Sequence, residues 1–180
     1  ALREEDDTGQ VAAARRDPEA FGALYDRYVQ PVYRYLLSRL RNQEEAQDLT
    51  SQTFLAAYQA FPRYRHNGHF PAWLFAIARS RWVDHLRKIR REQRTVDPGG
   101  EEGYEDPIQQ ALANERSVAL RQVVDRLPEE EQELLRLRFV ADLSFDEMGV
   151  LLGRNKDAVK KSIYRLLARM QSQLEERHGS

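Results

Sequence analysis

The stretch LSFDEMGVLLGRNKDAVKKSIYRLLARM, residues 143–170, decides how the whole chain is read. Ser144 stands three residues before Glu147, the spacing at which a hydroxyl and a carboxylate cap the first free N–H groups of a helix reciprocally. Phe145, Met148, Leu151 and Leu152 then recur at helical spacing, and Gly153 supplies a stop. Asn155 opens a second helix, from Lys156 to about Leu174, whose inward row is Val159, Ile163 and Leu166. Gly149 falls where the two helices cross, a place for a residue without a β-carbon. A short helix, a tight turn and a longer helix in this register make a helix-turn-helix. The outward side of the second helix carries Lys156, Lys160, Lys161, Tyr164 and Arg165, with Asn155 at its start. These are groups that meet phosphates and base edges in a major groove. The alternative is a helical hairpin with a solvated basic face; this spacing combined with this charge favours DNA.

Working outward, residues 108–127 form one amphipathic helix, and Pro128 opens another that begins with three acids and continues through Leu134, Leu135, Leu137 and Phe139. Acids suit a helix N-terminus, where the macrodipole is positive. Residues 94–107 include Asp97-Pro98-Gly99-Gly100 and show no apolar period, so they read as a linker. Before the linker, Asp17-Pro18 starts a helix bearing Phe21, Leu24, Tyr25 and Tyr28, and Pro31 is expected to break or bend it before Val32, Tyr35, Leu36 and Leu40. A helix over about 44–60 stops at Phe61-Pro62, and another over about 71–92 buries Trp73, Leu74, Ile77, Ala78, Val83 and Leu86. The expected fold is all-α: a four-helix domain over 1–93, a flexible acidic linker over 94–107, and a helix-turn-helix domain over 108–180.

Charge is segregated along the chain although the net charge is only −1. Residues 63–94 hold nine Arg or Lys against two acids, residues 154–169 six against one, and residues 97–115 six acids and no base. Two basic segments therefore flank an acidic connector, a pattern that suits an anionic polymer. In the first of them, Arg79, Arg81, His85, Lys88 and Arg91 recur mostly at three- and four-residue intervals on one helix. The loop before it, with Arg63, Arg65, Asn67, Gly68 and His69, offers polar and basic contacts to single-stranded nucleic acid, and Trp82 offers stacking.

Other classes fit poorly. The chain has no Cys, so it offers no disulfide framework, thiolate metal site or thiol nucleophile, and a reducing, cytoplasmic setting is expected. No apolar run approaches the ~20 residues needed to cross a bilayer. His66 and His69 have no acid or Cys near them to complete a zinc set, and there is no phosphate-binding glycine loop or nucleophile elbow. Neither a cofactor nor enzymatic chemistry is expected.

From Phe21 to Leu174 the chain resembles the extracytoplasmic-function sigma factors of bacterial RNA polymerase. The N-terminal half resembles sigma region 2 in Glu45-Ala46-Gln47-Asp48-Leu49-Thr50-Ser51-Gln52-Thr53-Phe54-Leu55 and in Phe70-Pro71-Ala72-Trp73-Leu74-Phe75-Ala76-Ile77-Ala78-Arg79. The C-terminal half resembles region 4 in Leu127-Pro128-Glu129, Leu134-Leu135-Arg136-Leu137-Arg138-Phe139, Leu143-Ser144-Phe145-Asp146-Glu147 and Ala158-Val159-Lys160. The resemblance implies that Asp48, Gln52, Thr53 and Phe54 dock on the clamp helices of the largest polymerase subunit, and that region 4 meets the flap of the second-largest. It implies that Arg63, Arg65, Asn67, His69, Arg79, Arg81, His85 and Lys88 bind the minus-10 element, with Asn67 placed to read a flipped base. Asn155, Lys156, Lys160, Lys161, Tyr164 and Arg165 would bind the minus-35 element. The linker would thread toward the RNA exit path, and an anti-sigma factor would hold the chain inactive. The family's usual Gln-Glu is here Ser51-Gln52, and its usual Val-Lys-Ser-Arg is here Val159-Lys160-Lys161-Ser162.

Overall fold

A computed structural model describes residues 2–65, 67–93 and 115–178, and every regular element among them is helical. His66, the expected linker 94–107 and the first part of the helix expected from 108 lie outside the described residues. The N-terminal half contains α1 (Leu2–Arg16), α2 (Phe21–Leu40), α3 (Gln43–Ala60) and α4 (Phe70–Gln93), with 3₁₀ turns at Pro18–Ala20 and Phe61–Arg63. The C-terminal half contains α5 (Glu115–Asp125), α6 (Glu129–Leu135) running into a π-helical turn (Arg136–Val140), α7 (Phe145–Leu152) and α8 (Lys156–His178).

The N-terminal half has four helices, but they are not the four that the pattern suggests. Pro31 does not divide α2, which runs through it without interruption. An internal proline costs a helix about 3 kcal/mol through one lost hydrogen bond and a crowded carbonyl. Around it, Tyr28, Val32, Tyr35 and Leu36 are each 1% exposed or less. Burying one such side chain contributes about 1.5–3 kcal/mol, so the row outweighs the proline. The additional helix is α1. Its Val11 and Ala14 are buried, and its Asp7, only 2% exposed, accepts a hydrogen bond from the Tyr28 hydroxyl and lies 3.3 Å from Arg27 Nε. An acid stabilised by partners on the next helix leaves no trace in local periodicity.

The C-terminal half follows its local signals closely. Ser144 Oγ accepts from Glu147 N–H, and the Glu147 carboxylate accepts from Ser144 N–H, at 3.2 and 2.6 Å. Gly153 ends α7 at φ 62°, in the left-handed region, and Asn155 Oδ1 caps α8 by accepting from Asp157 N–H at 2.8 Å. Phe139 departs from its expected apolar row and is 59% exposed. The π turn inserts one residue into the helical phase there, so positions that a 3.6 period would face inward rotate outward.

The two halves share one hydrophobic core. Leu134, Leu137, Ala141, Leu143 and Met148 cluster with Tyr35, Leu36, Leu74, Phe75 and Ala78 of the N-terminal helices. The π turn packs on α2, and α7 packs on α4.

Gly149 gives this account a test with a sign. A β-carbon there would sit 2.8 Å from the Arg154 carbonyl oxygen, which belongs to backbone. In an open helix Gly→Ala stabilises by about 0.5–1 kcal/mol, whereas overpacking costs about 1–3 kcal/mol. Gly149→Ala is therefore expected to lower the thermal unfolding midpoint; an unchanged or raised midpoint would refute the close crossing.

Candidate nucleic-acid interface

The cationic side of α8 stands clear of the protein. Asn155, Lys156, Lys160, Lys161, Tyr164 and Arg165 are all exposed. Tyr164, 56% exposed, leans against Phe145 with ring centroids 6.2 Å apart, and Lys160 Nζ lies 5.9 Å from the Tyr164 ring centroid. The aromatic thus fixes itself on α7 and steers a neighbouring cation. Arg154, counted in the basic segment but not singled out from sequence, joins this surface: it is exposed and donates to Ser162 Oγ at 2.8 Å. Arg138 holds the start of α7, donating to the Leu143 carbonyl at 2.9 Å and lying 4.9 Å over the Phe145 ring.

The loop before α4 is built on an aromatic cluster. Tyr64 stacks near Trp73 at 4.4 Å between centroids and its carbonyl accepts from Arg15, so Arg63 and Arg65 on either side are turned outward and exposed. Burial pushes the Tyr64 phenol up to about 12 despite the opposing charge of Arg15 nearby. Asn67 Oδ1 accepts from His69 N–H at 3.3 Å and Gly68 takes φ 84°. This is an Asx turn, the use of an Asn-Gly pair that the loop chemistry alone favours.

The remaining polar groups of this set do not form one free stripe. Lys88 is exposed, but His69, Arg79, Arg81 and His85 are half-buried. His69 Nε2 lies 3.8 Å from Asp146, Arg79 Nε 3.2 Å from Glu133, and His85 Nε2 3.4 Å from Glu45. A cavity of about 360 Å³ is lined by Asn67, His69 and Trp73 on one side and by Val150 and Leu151 of α7 on the other. Trp82, expected to stack on bases, carries the Arg39 guanidinium 3.8 Å over its ring.

On α3 the structure separates the four residues grouped from sequence. Asp48 and Gln52 are exposed and bonded to each other at 2.8 Å. Thr53 is fully buried and donates to the Leu49 carbonyl at 2.7 Å, and Phe54, 5% exposed, meets the Tyr25 ring at 4.8 Å. Both belong to the core. The apolar groups that do reach the surface there are Leu55, 60% exposed, Tyr58 and Tyr25.

One cluster had no counterpart in the sequence reading. Glu133 of α6, 5% exposed, accepts from the Tyr35 hydroxyl at 2.8 Å and from Arg39 Nη2. Arg39 Nε also donates to the Tyr35 hydroxyl at 3.0 Å, and Nη1 donates to Glu129 at 2.7 Å. Burial first, and then the neighbouring Glu133 carboxylate, raises the Tyr35 phenol above its ordinary range. A signal did exist: Arg39 borders the apolar row of α2 and has no acid three or four residues away on either side.

Residues 24–92 match the family described as Sigma-70 region 2, and residues 117–170 match Sigma-70, region 4. The chain is 38% identical over 156 residues to the ECF RNA polymerase sigma factor BldN of Streptomyces coelicolor, covering 83% of this chain and 58% of that protein's length. It is 32% identical to the ECF RNA polymerase sigma factor ShbA of Streptomyces griseus, over 83% of this chain and 85% of the relative. The fold is similar to that of CnrH in complex with the cytosolic domain of CnrY, with a TM-score of 0.67 and 21% identity over 93% of this chain and 96% of that one. It is likewise similar to the sigma factor RpoE of Bartonella quintana in complex with the anti-sigma factor NepR, with a TM-score of 0.67 and 20% identity over 86% and 96%. With two sigma regions matched in order and a relative aligned over most of both lengths, the chain belongs to the ECF RNA polymerase sigma factors.

Proposed function

We propose that this chain loads bacterial RNA polymerase core onto a set of promoters, performing no chemistry of its own and acting in the cytoplasm. The observation that carries the reading is the exposed basic face of α8, held by two capped helices that approach closely at Gly149. In this reading α8 enters the major groove of the minus-35 element, with Lys156, Lys160, Lys161 and Arg165 on phosphates and Asn155 and Tyr164 near base edges. The loop at 61–69 and the start of α4 take the minus-10 strand, Arg63 and Arg65 holding its backbone while unstacked bases bind beside the loop. Opening is driven by binding flipped bases more tightly than paired ones, which offsets an unstacking cost of a few kcal/mol.

Core polymerase docks on α3 through Asp48 and Gln52, with Leu55 supplying apolar contact. Region 4 meets the polymerase flap at an apolar groove of about 450 Å³ lined by Leu120, Val124, Leu135, Phe139, Leu167 and Met170. An anti-sigma factor competes for these surfaces. The linker outside the described residues runs toward the RNA exit path.

The decisive experiment is transcription in vitro with core polymerase and a pool of genomic promoters. Promoter-dependent transcripts that need this chain are expected; sequence-specific duplex binding by the chain alone, with no effect on core polymerase, would instead mark a stand-alone repressor or activator. Lys160→Ala with Lys161→Ala should weaken holoenzyme binding to promoter DNA and reduce its salt slope by about 0.9 per lost contact. An unchanged slope would remove α8 from the DNA. Asp48→Ala with Gln52→Ala should weaken core binding about tenfold, equivalent to about 1.4 kcal/mol, without loss of fold. Undiminished capture of core by the double variant would move the docking surface elsewhere.

A further inference from the structure

A cavity of about 860 Å³ opens between α1, the start of α2 and the end of α3, and residues 61–65 close it on one side. It shares Arg63, Tyr64 and Arg65 with the smaller cavity at Asn67 and Trp73, but no residue of α4 lines it. Small-molecule sites usually span about 300–1,000 Å³ and join an apolar lining to a few polar groups. Here the floor is aromatic: Phe21 and Phe61 are each 6% exposed, with ring centroids 5.2 Å apart. Tyr58 meets the Phe21 ring at 5.4 Å and is itself 48% exposed, so part of its ring stays open. Gln59 adds an amide that can both donate and accept.

Three guanidiniums border this floor without a counter-charge. Among the described residues, Arg27, Arg39, Arg41, Arg79 and Arg87 each meet a carboxylate. Arg15, Arg63 and Arg65 meet none, and no acid lines the cavity between them. Asp17, two residues from Arg15, turns its carboxylate onto the Glu19 N–H at 3.0 Å and stays outside the lining. Arg15 donates to the Tyr64 carbonyl, a neutral acceptor that leaves its charge uncompensated. One unpaired surface arginine is ordinary; three converging on one concave apolar floor focus a positive potential there. The planar fork of arginine matches phosphate oxygens in pairs. A nucleic-acid strand presents one charge per nucleotide, whereas three cations at one cavity match a polyphosphate, and an exposed tyrosine ring offers a face to a base.

We propose that this cavity binds a free nucleoside polyphosphate, its phosphates on Arg15, Arg63 and Arg65 and its base against Tyr58. The binding stands apart from the promoter reading; its consequence rests on that reading. Arg63 and Arg65 are also assigned to the minus-10 strand, so an occupied cavity withholds them from DNA, and nucleotide and strand weaken each other reciprocally.

The test titrates ATP and inorganic triphosphate separately into the full chain by calorimetry, without magnesium. ATP should bind one per chain, about tenfold more tightly than triphosphate, because only ATP brings a base to stack. Arg15→Ala should weaken both about tenfold through the lost charge-assisted contact. Arg16→Ala removes the same charge from an exposed position outside the lining and should alter neither. Tyr58→Leu should weaken ATP to the level of triphosphate and leave triphosphate unchanged, a split that loss of fold cannot produce. It keeps the Arg15 contact with Tyr64, so it carries the test if Arg15→Ala disturbs the loop. No saturable ATP binding, or equal losses in Arg15→Ala and Arg16→Ala, overturns the site. ATP binding that is unaffected by Tyr58→Leu overturns the seat of the base. Binding that appears only after Glu101→Gln, Glu102→Gln, Glu105→Gln and Asp106→Asn gives the cavity to that acidic segment and overturns a free ligand. Random-sequence single-stranded DNA is then bound in a Lys160→Ala, Lys161→Ala background, and ATP should displace it. ATP bound without displacement overturns the competition, and strand binding lost in Arg15→Ala with no ATP bound gives the cavity to the strand and overturns the proposal. Arg63→Ala with Arg65→Ala tests the promoter reading by itself: strand binding that does not weaken removes the minus-10 assignment and leaves the ATP result standing.

Discussion

The buried carboxylate of Glu133 is the constraint around which the two regions are arranged. A lone carboxylate in an apolar seam would lose several kcal/mol of hydration. Here it receives a phenol and a guanidinium as hydrogen-bond donors, with a second guanidinium 3.2 Å away. Each partner is itself placed by something else: Tyr35 by its edge contact with Phe75, Arg39 by Trp82, and Arg79 by the turn of α4 that buries Ala78. Charges of this kind add little net stability, because attraction and desolvation nearly cancel. They do select one pairing of surfaces, since any other register would leave the buried Glu133 carboxylate without its donors from Tyr35 and Arg39. The apolar neighbours Leu134, Leu137 and Leu143 supply attraction, and the ionic cluster supplies the address.

Local signals made most of the fold legible. The capping box at Ser144 and Glu147, the stop at Gly153 and the small residue at Gly149 each specify a backbone event within a few residues, and each appears where the sequence puts it. Pro31 misleads because its penalty is local whereas the burial of Tyr28, Val32, Tyr35 and Leu36 is tertiary. The same reason hides α1, whose Asp7 looks like surface until Tyr28 and Arg27 of α2 close around it. On α3, a family motif grouped Asp48, Gln52, Thr53 and Phe54 by adjacency, but a helix turns about 100° per residue. Two of the four therefore face solvent and two face the core. What no local rule could reveal is the seam, because Tyr35 and Glu133 are 98 residues apart, on either side of the expected linker.

The distribution of exposed and engaged cations is the clearest difference between the sequence and the folded chain. Both basic segments look alike as strings, each dense in Arg and Lys. Folded, the second presents its cations along α8 with few acids near them, while in the first Arg79 lies beside Glu133 and the imidazoles of His69 and His85 lie beside Asp146 and Glu45. Net charge along a window cannot distinguish these cases. The difference arises because the carboxylates come from other helices.

The crossing at Gly149 separates two properties that usually constrain each other. Because a β-carbon at 149 would meet main-chain atoms of Arg154 and Lys156, the close approach of α7 to the start of α8 does not depend on the cationic side chains of the outer face. Lys156, Lys160, Lys161 and Arg165 can then be exchanged for other residues with little effect on the scaffold beneath, whereas Tyr164 packs on Phe145 of α7. In evolutionary terms the scaffold is brittle at one atom and permissive along a whole helix face. If that face reads DNA as proposed, a lineage of such proteins can diversify its target sites by exchanges there while geometry holds position 149 to a small residue.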